Sequence, residues 1–301
     1  MKKKITIILI IAFSLNLKAS SKNGGKSSFA FLKIGEGVGV LSKAKIPSIS
    51  YDDIFIASKN SSFLTKINFS EISFAHIDWL GLSSGEQFAA SLNFFPINLG
   101  IVTNFFSIPD VEIRTRPGEP QAKFDASYYM TAICLAYPFD ENLSFGASFK
   151  YIGEILYDET YNVFAFDLSS SYFININKAA KANFAASISN AEFNNNSNLP
   201  TSFNLSSGCD YKIESLKSKF RFGAEYSYMN DRKKGYINFG FEVLYFETIS
   251  FSIGNQNLSD LYSISYGISI FYKNLKISYA YLPIKNNFDN SQLFGVSYMF
   301  K

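Results

Sequence analysis

Long hydrophobic runs are scarce in this 301-residue chain, although 47% of its residues are hydrophobic. The N-terminal run Ile5 to Leu15, broken by Thr6 and Ser14, is far short of the ~20 apolar residues a helical membrane span needs. No later segment is a candidate for such a helix. Histidine is also scarce: His76 is the only one. A Ser-His or Cys-His catalytic pair would have to use it, with Glu71 and Asp78 close by in sequence. The spacing does not suggest a nucleophile, base and orienter in one geometry, so no catalytic residue is assigned. There are two cysteines, Cys134 and Cys209. With one histidine they do not make a zinc site, and no metal ligand is expected. Phosphate-loop and dinucleotide fingerprints are missing, so no cofactor is expected either.

An excess of one charge sign is lacking as well. The whole chain carries 28 Lys and Arg against 25 Asp and Glu. Residues 1–19 are expected to be a secretory signal peptide: Lys2, Lys3 and Lys4, then the apolar run, then Leu17-Lys18-Ala19 as a small-residue cleavage site. No Cys follows the run, so a lipoprotein site is not expected. Cleavage after Ala19 would leave 282 residues (301 − 19) with 24 basic and 25 acidic side chains. That balance gives no support for nucleic-acid binding.

What the chain has in abundance is aromatic residues and alternation. Phe and Tyr number 32 and 19 beside a single Trp. From about residue 70, some fourteen segments of about ten residues alternate apolar and small or polar side chains. Clear cases are Leu143, Phe145, Ala147, Phe149 and Tyr151, or Ile237, Phe239, Phe241, Val243 and Tyr245. The last is Gln292 to Lys301, with Phe294, Val296, Tyr298 and Phe300 on one face. Short connections (Pro138 to Asn142, Asn175 to Lys178, Lys273-Asn274) alternate with longer ones (Pro109 to Phe124, Asn190 to Thr201, Pro283 to Ser291). An antiparallel barrel in a bacterial outer membrane has this signature: strands of about 9–11 residues, an apolar lipid face, and short turns on one side with longer loops on the other. A soluble β-sandwich also alternates, but needs fewer outward aromatics. An even strand count puts both chain ends in the periplasm and the mostly longer loops outside.

The fold class is therefore all-β: a membrane-spanning barrel of about 14 strands over residues 66–301, preceded by an N-terminal plug segment, 20–65. The opposite strand faces are small and polar, as in Ser144, Gly146 and Ser148, or Ser263, Ser265, Gly267 and Ser269. Lys150, Asp167, Arg221, Glu225 and Glu242 also fall there. A charge facing mid-bilayer costs about 2–4 kcal/mol, so these five belong to the lumen. They either line a substrate path or pair with one another. The lumen so inferred is rich in Ser, Gly and Asn, with few charges of mixed sign. Cys134 and Cys209 fall on the fourth and eighth strands with opposite faces, too far apart for the ~7 Å Cα limit of a disulfide. Trp79, near a strand end, is expected to anchor at the interface.

Residues 29–65 do not alternate, and exposed irregular backbone has no partners in lipid. They are expected to fill the lumen or close its periplasmic mouth. Gly35, Gly37, Asp52, Asp53 and Asn60 are its candidate plug residues. Asp52 and Asp53 either hold the plug to Arg or Lys of the wall or form a solvated turn.

Phe31-Leu-Lys-Ile-Gly35, the acidic pair Asp52-Asp53, Asn60 and Leu64 resemble the N-terminal signature of the PorV/PorQ family, relatives of the FadL-type outer-membrane transporters. Phe145 to Lys150, Phe166-Asp167-Leu168, Asn198-Leu199-Pro200 and Asn274 to Tyr281 resemble later strands of that family. Ser61-Ser62-Phe63 stands where the signature has Pro-Ala-Gly, and Ala44-Lys45 where it has a Gly pair. The resemblance implies a fourteen-stranded barrel with one of two roles. One is passage of hydrophobic small molecules; the other is participation in type IX protein secretion with secretion-system proteins as partners. Outer-membrane lipid and assembly machinery recognising the C-terminal strand complete the expected partners.

Overall fold

The computed structural model describes residues 29–67, 69–94, 96–192, 199–257, 263–285 and 288–300. The expected signal peptide and residues 20–28 lie outside the described residues, as do parts of the connections at 190–201 and 283–291. Fourteen antiparallel strands close into one barrel. They are β1 (Ser70–Trp79), β2 (Ser83–Phe94), β3 (Ile97–Ile113), β4 (Ala122–Pro138), β5 (Leu143–Leu156), β6 (Glu159–Asn175), β7 (Ala180–Glu192), β8 (Ser202–Ile213), β9 (Ser218–Met229), β10 (Lys234–Tyr245), β11 (Ile249–Gln256), β12 (Ile264–Tyr272), β13 (Leu275–Leu282) and β14 (Ser291–Phe300). Each strand pairs with its sequence neighbours, and β1 closes the ring on β14 through Phe74↔Val296 and His76↔Phe294. Closure leaves no unpaired strand edge, the condition for a β structure in lipid.

The two-residue period sorts the faces. Phe145, Phe149, Phe184, Phe222, Phe251 and Phe294 are exposed on the outer surface, while Ser144, Ser148, Asn183, Arg221, Ser250 and Leu293 beside them in sequence are buried inside. Cys134 is buried and Cys209 exposed, both as free thiols.

Four strands run furthest past what a bilayer needs. β3, β4 and β6 have 17 residues and β5 has 14, against about 9–11 for a span. The β3–β4 and β5–β6 hairpins therefore stand above the outer surface. This corrects the expected long loop Pro109 to Phe124. Val111 pairs with Phe124 and Ile113 with Ala122, past a register shift between Ile108 and Val111. The β5–β6 connection is likewise a turn of two residues, since Leu156 pairs with Glu159. Beyond the bilayer a strand needs no apolar face, so the sequence pattern that marks it disappears.

Trp79 corrects another expectation. It is 8% exposed and joins the buried cluster with Ile77, Leu282 and Leu293. Phe74 and His76 point outward on β1, so the odd-numbered residue 79 must point inward.

Residues 29–67 thread the lumen as short turns: 3₁₀ helices Ala30–Lys33, Ile54–Ser58 and Ser61–Lys66, and single α turns Val38–Leu41 and Pro47–Ser50. Irregular backbone leaves polar groups that must find partners when buried. The wall supplies them. Asn98 Nδ2 donates to Leu64 O at 2.8 Å, Asn183 Nδ2 to Ser48 O at 2.9 Å and Ser265 Oγ to Ser42 O at 3.1 Å. Gln87 brackets the segment, accepting from Gly37 N at 2.8 Å and donating to Gly35 O at 3.3 Å. Small wall residues make the room. At Gly146 a Cβ would run into the backbone nitrogen of Ser62.

Candidate lumen site and its plug

The lumen has two unlike sides. Toward β9, β10 and β13 it is ionic. Asp52 of the lumen segment accepts from Arg221 Nη1 at 2.6 Å. The same Nη1 lies 2.9 Å from Glu242 Oε2. Lys43 Nζ sits 3.3 Å from the other Glu242 oxygen and 3.8 Å from Asp52. Lys276 Nζ meets Asp53 Oδ2 at 3.1 Å, while Asp53 Oδ1 caps the next turn by accepting from Phe55 N at 3.2 Å. Lys59 Nζ reaches both oxygens of Glu225, at 2.6 and 2.7 Å, and donates to Lys45 O at 2.8 Å. These pairs tie the segment to three strands. Their wall partners Arg221, Glu225, Glu242 and Lys276 are buried, where a lost partner is costly.

The ten sequence-nominated residues thus fall into groups. Asp52, Arg221 and Glu242 form one network. Asp53 joins Lys276, and Glu225 joins Lys59. Lys150 and Asp167 pair with each other at 2.8 Å, beside Asn190, whose side chain accepts from Lys150 and whose backbone donates to Asp167. Asn60 Nδ2 donates to Ala186 O at 3.3 Å and its Oδ1 accepts from Ser62 Oγ at 2.6 Å. Gly35 and Gly37 lie under Gln87. Gly37 has φ +79, and a Cβ there would come within 2.5 Å of Phe55 Cβ.

Sequence reasoning missed Lys43, Lys59, Lys276, Asp210 and Gln87. Lys276 and Asp210 were legible, since each sits between outward residues of an alternating strand (Leu275 and Ile277; Cys209 and Tyr211). Lys43 and Lys59 lie in the non-periodic segment, where no pattern marks direction.

Burial acts on the segment's own charges. It pushes the Lys45 ammonium down from 10.5 to about 7, with neighbouring Lys59 adding to the shift. Burial alone would raise Asp52; the Arg221 guanidinium, then Lys43 and Lys276, outweigh it and hold the carboxylate well below its usual range.

The other side of the lumen, toward β1, β3–β5 and β14, is apolar. Ile77, Val102, Phe106, Met130, Ile152 and Leu293 point inward there, packed with Phe31, Val40 and Phe55 of the segment. The Phe31 ring lies 5.4 Å from that of Tyr128. The expectation of a lumen of Ser, Gly and Asn therefore holds for only part of the wall. Between the two sides lies a cavity of about 80 Å³ lined by Glu36, Lys45, Phe55, Lys59, Met130 and Glu225, among others. An apolar cavity of ~150 Å³ is known to admit benzene; this space is smaller and partly charged.

His76 lies on the outer face, its Nδ1 2.7 Å from Glu86 Oε1, with Glu71 buried on the opposite face of β1. Among the described residues no group of three His, Cys, Asp or Glu is placed to hold a metal.

A closed fourteen-strand barrel with a lipid-facing aromatic belt and a filled lumen is a protein of the bacterial outer membrane. No protein-family model matches the sequence, and no curated protein matches it significantly. Solved structures do share the fold. The Ralstonia pickettii toluene transporter TbuX superposes with a TM-score of 0.58 at 10% identity, over 90% of this chain and 100% of that one. The Pseudomonas putida toluene transporter TodX gives 0.58 at 10% identity, over 88% and 98%. The CymD monoaromatic hydrocarbon channel gives 0.58 at 10% identity, over 89% and 98%.

Proposed function

We propose that this barrel passes hydrophobic small molecules across the outer membrane, in the manner of a FadL-type channel, and is closed in this conformation by its own residues 29–67. The observation that carries the reading is the apolar side of the lumen. Ile77 of β1, Val102 and Phe106 of β3, Met130 of β4 and Ile152 of β5 form an inward greasy surface, and the aromatic side chains of Phe31 and Phe55 pack with it. A path for water and ions would not need such a surface. The lumen also offers no ring of one charge sign to select ions. The fold shared with toluene and monoaromatic hydrocarbon channels supports the same reading. The ion pairs of Asp52, Asp53 and Lys59 hold the plug on the opposite side, so a small shift of Phe31 and Phe55 can open the greasy side without releasing the anchors.

The reading is non-enzymatic. The finer PorV/PorQ identity and a type IX secretion role rest on the sequence resemblance alone. The test is uptake into liposomes carrying the protein, comparing toluene and a fatty acid with a small sugar. Hydrocarbon or fatty-acid uptake with sugar excluded is expected, and deletion of residues 29–65 should admit sugar and raise conductance in planar bilayers. Fast sugar flux through the intact protein without hydrocarbon uptake would overturn the proposal. No flux of either kind would move the weight to a secretion role.

A further inference from the structure

The periplasmic end of the lumen holds a second, larger space of about 530 Å³, between the turns that join β6 to β7, β8 to β9 and β10 to β11. It lies apart from the ion pairs described above, and Tyr51 of the segment forms part of its lining. Five lysines line it: Lys178, Lys181, Lys212, Lys217 and Lys219. Three carboxylates, Asp210, Glu214 and Glu247, share the lining, leaving a formal charge of +2. One of the three acids is already engaged. Asp210 pairs with Lys219 at 2.7 Å, accepts from Tyr51, and lies 3.9 Å from Arg221. Lys217 lies over the Phe246 ring, 5.3 Å from its centroid. Among the described residues, the ammonium groups of Lys178, Lys181 and Lys212 have no ion pair. With Asp210 and Lys219 paired, four lysines face Glu214 and Glu247, and the positive surplus on one concave space raises the local concentration of anions.

We infer that this vestibule is a binding site for a phosphate monoester carrying an organic group. The volume falls within the ~300–1,000 Å³ of small-molecule sites. A phosphate monoester carries roughly −1.5 to −2 at neutral pH, which matches the surplus of +2. Lysines bind phosphate as point charges, with no planar geometry required. Leu244, Phe246 and the Tyr51 ring, on the same lining, give the organic group an apolar wall. The ligand has two possible sources with one chemistry: a soluble organic phosphate, or the phosphate headgroup of a lipid from the inner leaflet beside the turns. Neither depends on transport, and the site is read by equilibrium binding rather than flux.

The experiment uses the full chain folded in detergent at low salt. Phenyl phosphate is titrated calorimetrically against wild type and the triple variant Lys178→Gln, Lys181→Gln, Lys212→Gln, with heat-modifiable gel mobility confirming the fold of each. In parallel, native mass spectrometry measures retention of phosphatidic acid over phosphatidylcholine. Phenyl phosphate should bind wild type and weaken at least tenfold in the variant, with benzyl alcohol failing to compete; this outcome names the soluble source. Selective phosphatidic acid retention that the variant loses, without phenyl phosphate binding, names the lipid source. The inference fails if neither ligand binds, if the variant binds as wild type does, or if the dicarboxylate phthalate binds more tightly than either phosphate.

Discussion

Replacing Lys59 by Met should loosen the plug by a calculable amount. Lys59 holds Glu225, whose side chain is 0% exposed, at 2.6 Å. Without it the carboxylate keeps the hydrogen bond from Asn238 Nδ2, at 3.3 Å, and the more distant charge of Lys45. Removing one partner of a buried ion pair costs about 3–5 kcal/mol. That cost falls on the docked state alone, because Glu225 is hydrated once the segment leaves. At about 1.4 kcal/mol per factor of ten, the undocked population should rise by roughly two to three and a half orders of magnitude. The protein carries its own reporter. Cys134 is 0% exposed, and its Sγ lies 3.4 Å from Ala57 O of the segment. With Cys209→Ala removing the other thiol, labelling by a membrane-impermeant maleimide measures undocking. The rate should climb by the same factor in Lys59→Met. The double variant Lys59→Met, Glu225→Gln removes both charges and should return most of the way to wild type, since replacing a buried pair outright is often near neutral. Slow labelling in the single variant, or equally fast labelling in the double, would refute the anchoring role.

Docking should also depend on pH through Lys45. Its pKa is about 7 in the docked state against 10.5 when exposed, so the undocked segment binds more protons between these values. Docking therefore strengthens as pH rises from 7 to 10.5, by up to about tenfold per unit, and is weakest below 7. Cys134 labelling, normalised to a free thiol at each pH, should show this slope in wild type and lose it in Lys45→Met. On the lipid face, Phe222→Arg, at a side chain 57% exposed near the middle of β9, should cost about 2–4 kcal/mol in urea unfolding from liposomes. Leu216→Arg, in the β8–β9 turn, should stay within about 0.5 kcal/mol; equal costs would contradict the placement of the bilayer.

The legible part of this protein is its wall. Because side chains in a strand alternate strictly, one outward aromatic assigns the direction of every neighbour. The pattern of Phe145, Phe149 and Tyr151 alone places Ser148 and Lys150 in the lumen. The same arithmetic, applied from Phe74, would have turned Trp79 inward; the interfacial habit of tryptophan was the weaker guide. Strand extensions such as Val111 to Ile113 escaped notice because outside lipid no apolar face is demanded of them.

The sequence by itself determined a barrel of about fourteen strands, the orientation of its charges, and a leading segment unfit for lipid. Only the tertiary structure decided which charge meets which. Asp52 finds Arg221 across 169 positions, Lys59 finds Glu225 across 166, and Asp53 finds Lys276 across 223. The segment that carries Asp52, Asp53 and Lys59 has no period. Its direction at each residue follows from the turns it makes against the wall, and the groups that hold those turns come from strands distant in sequence.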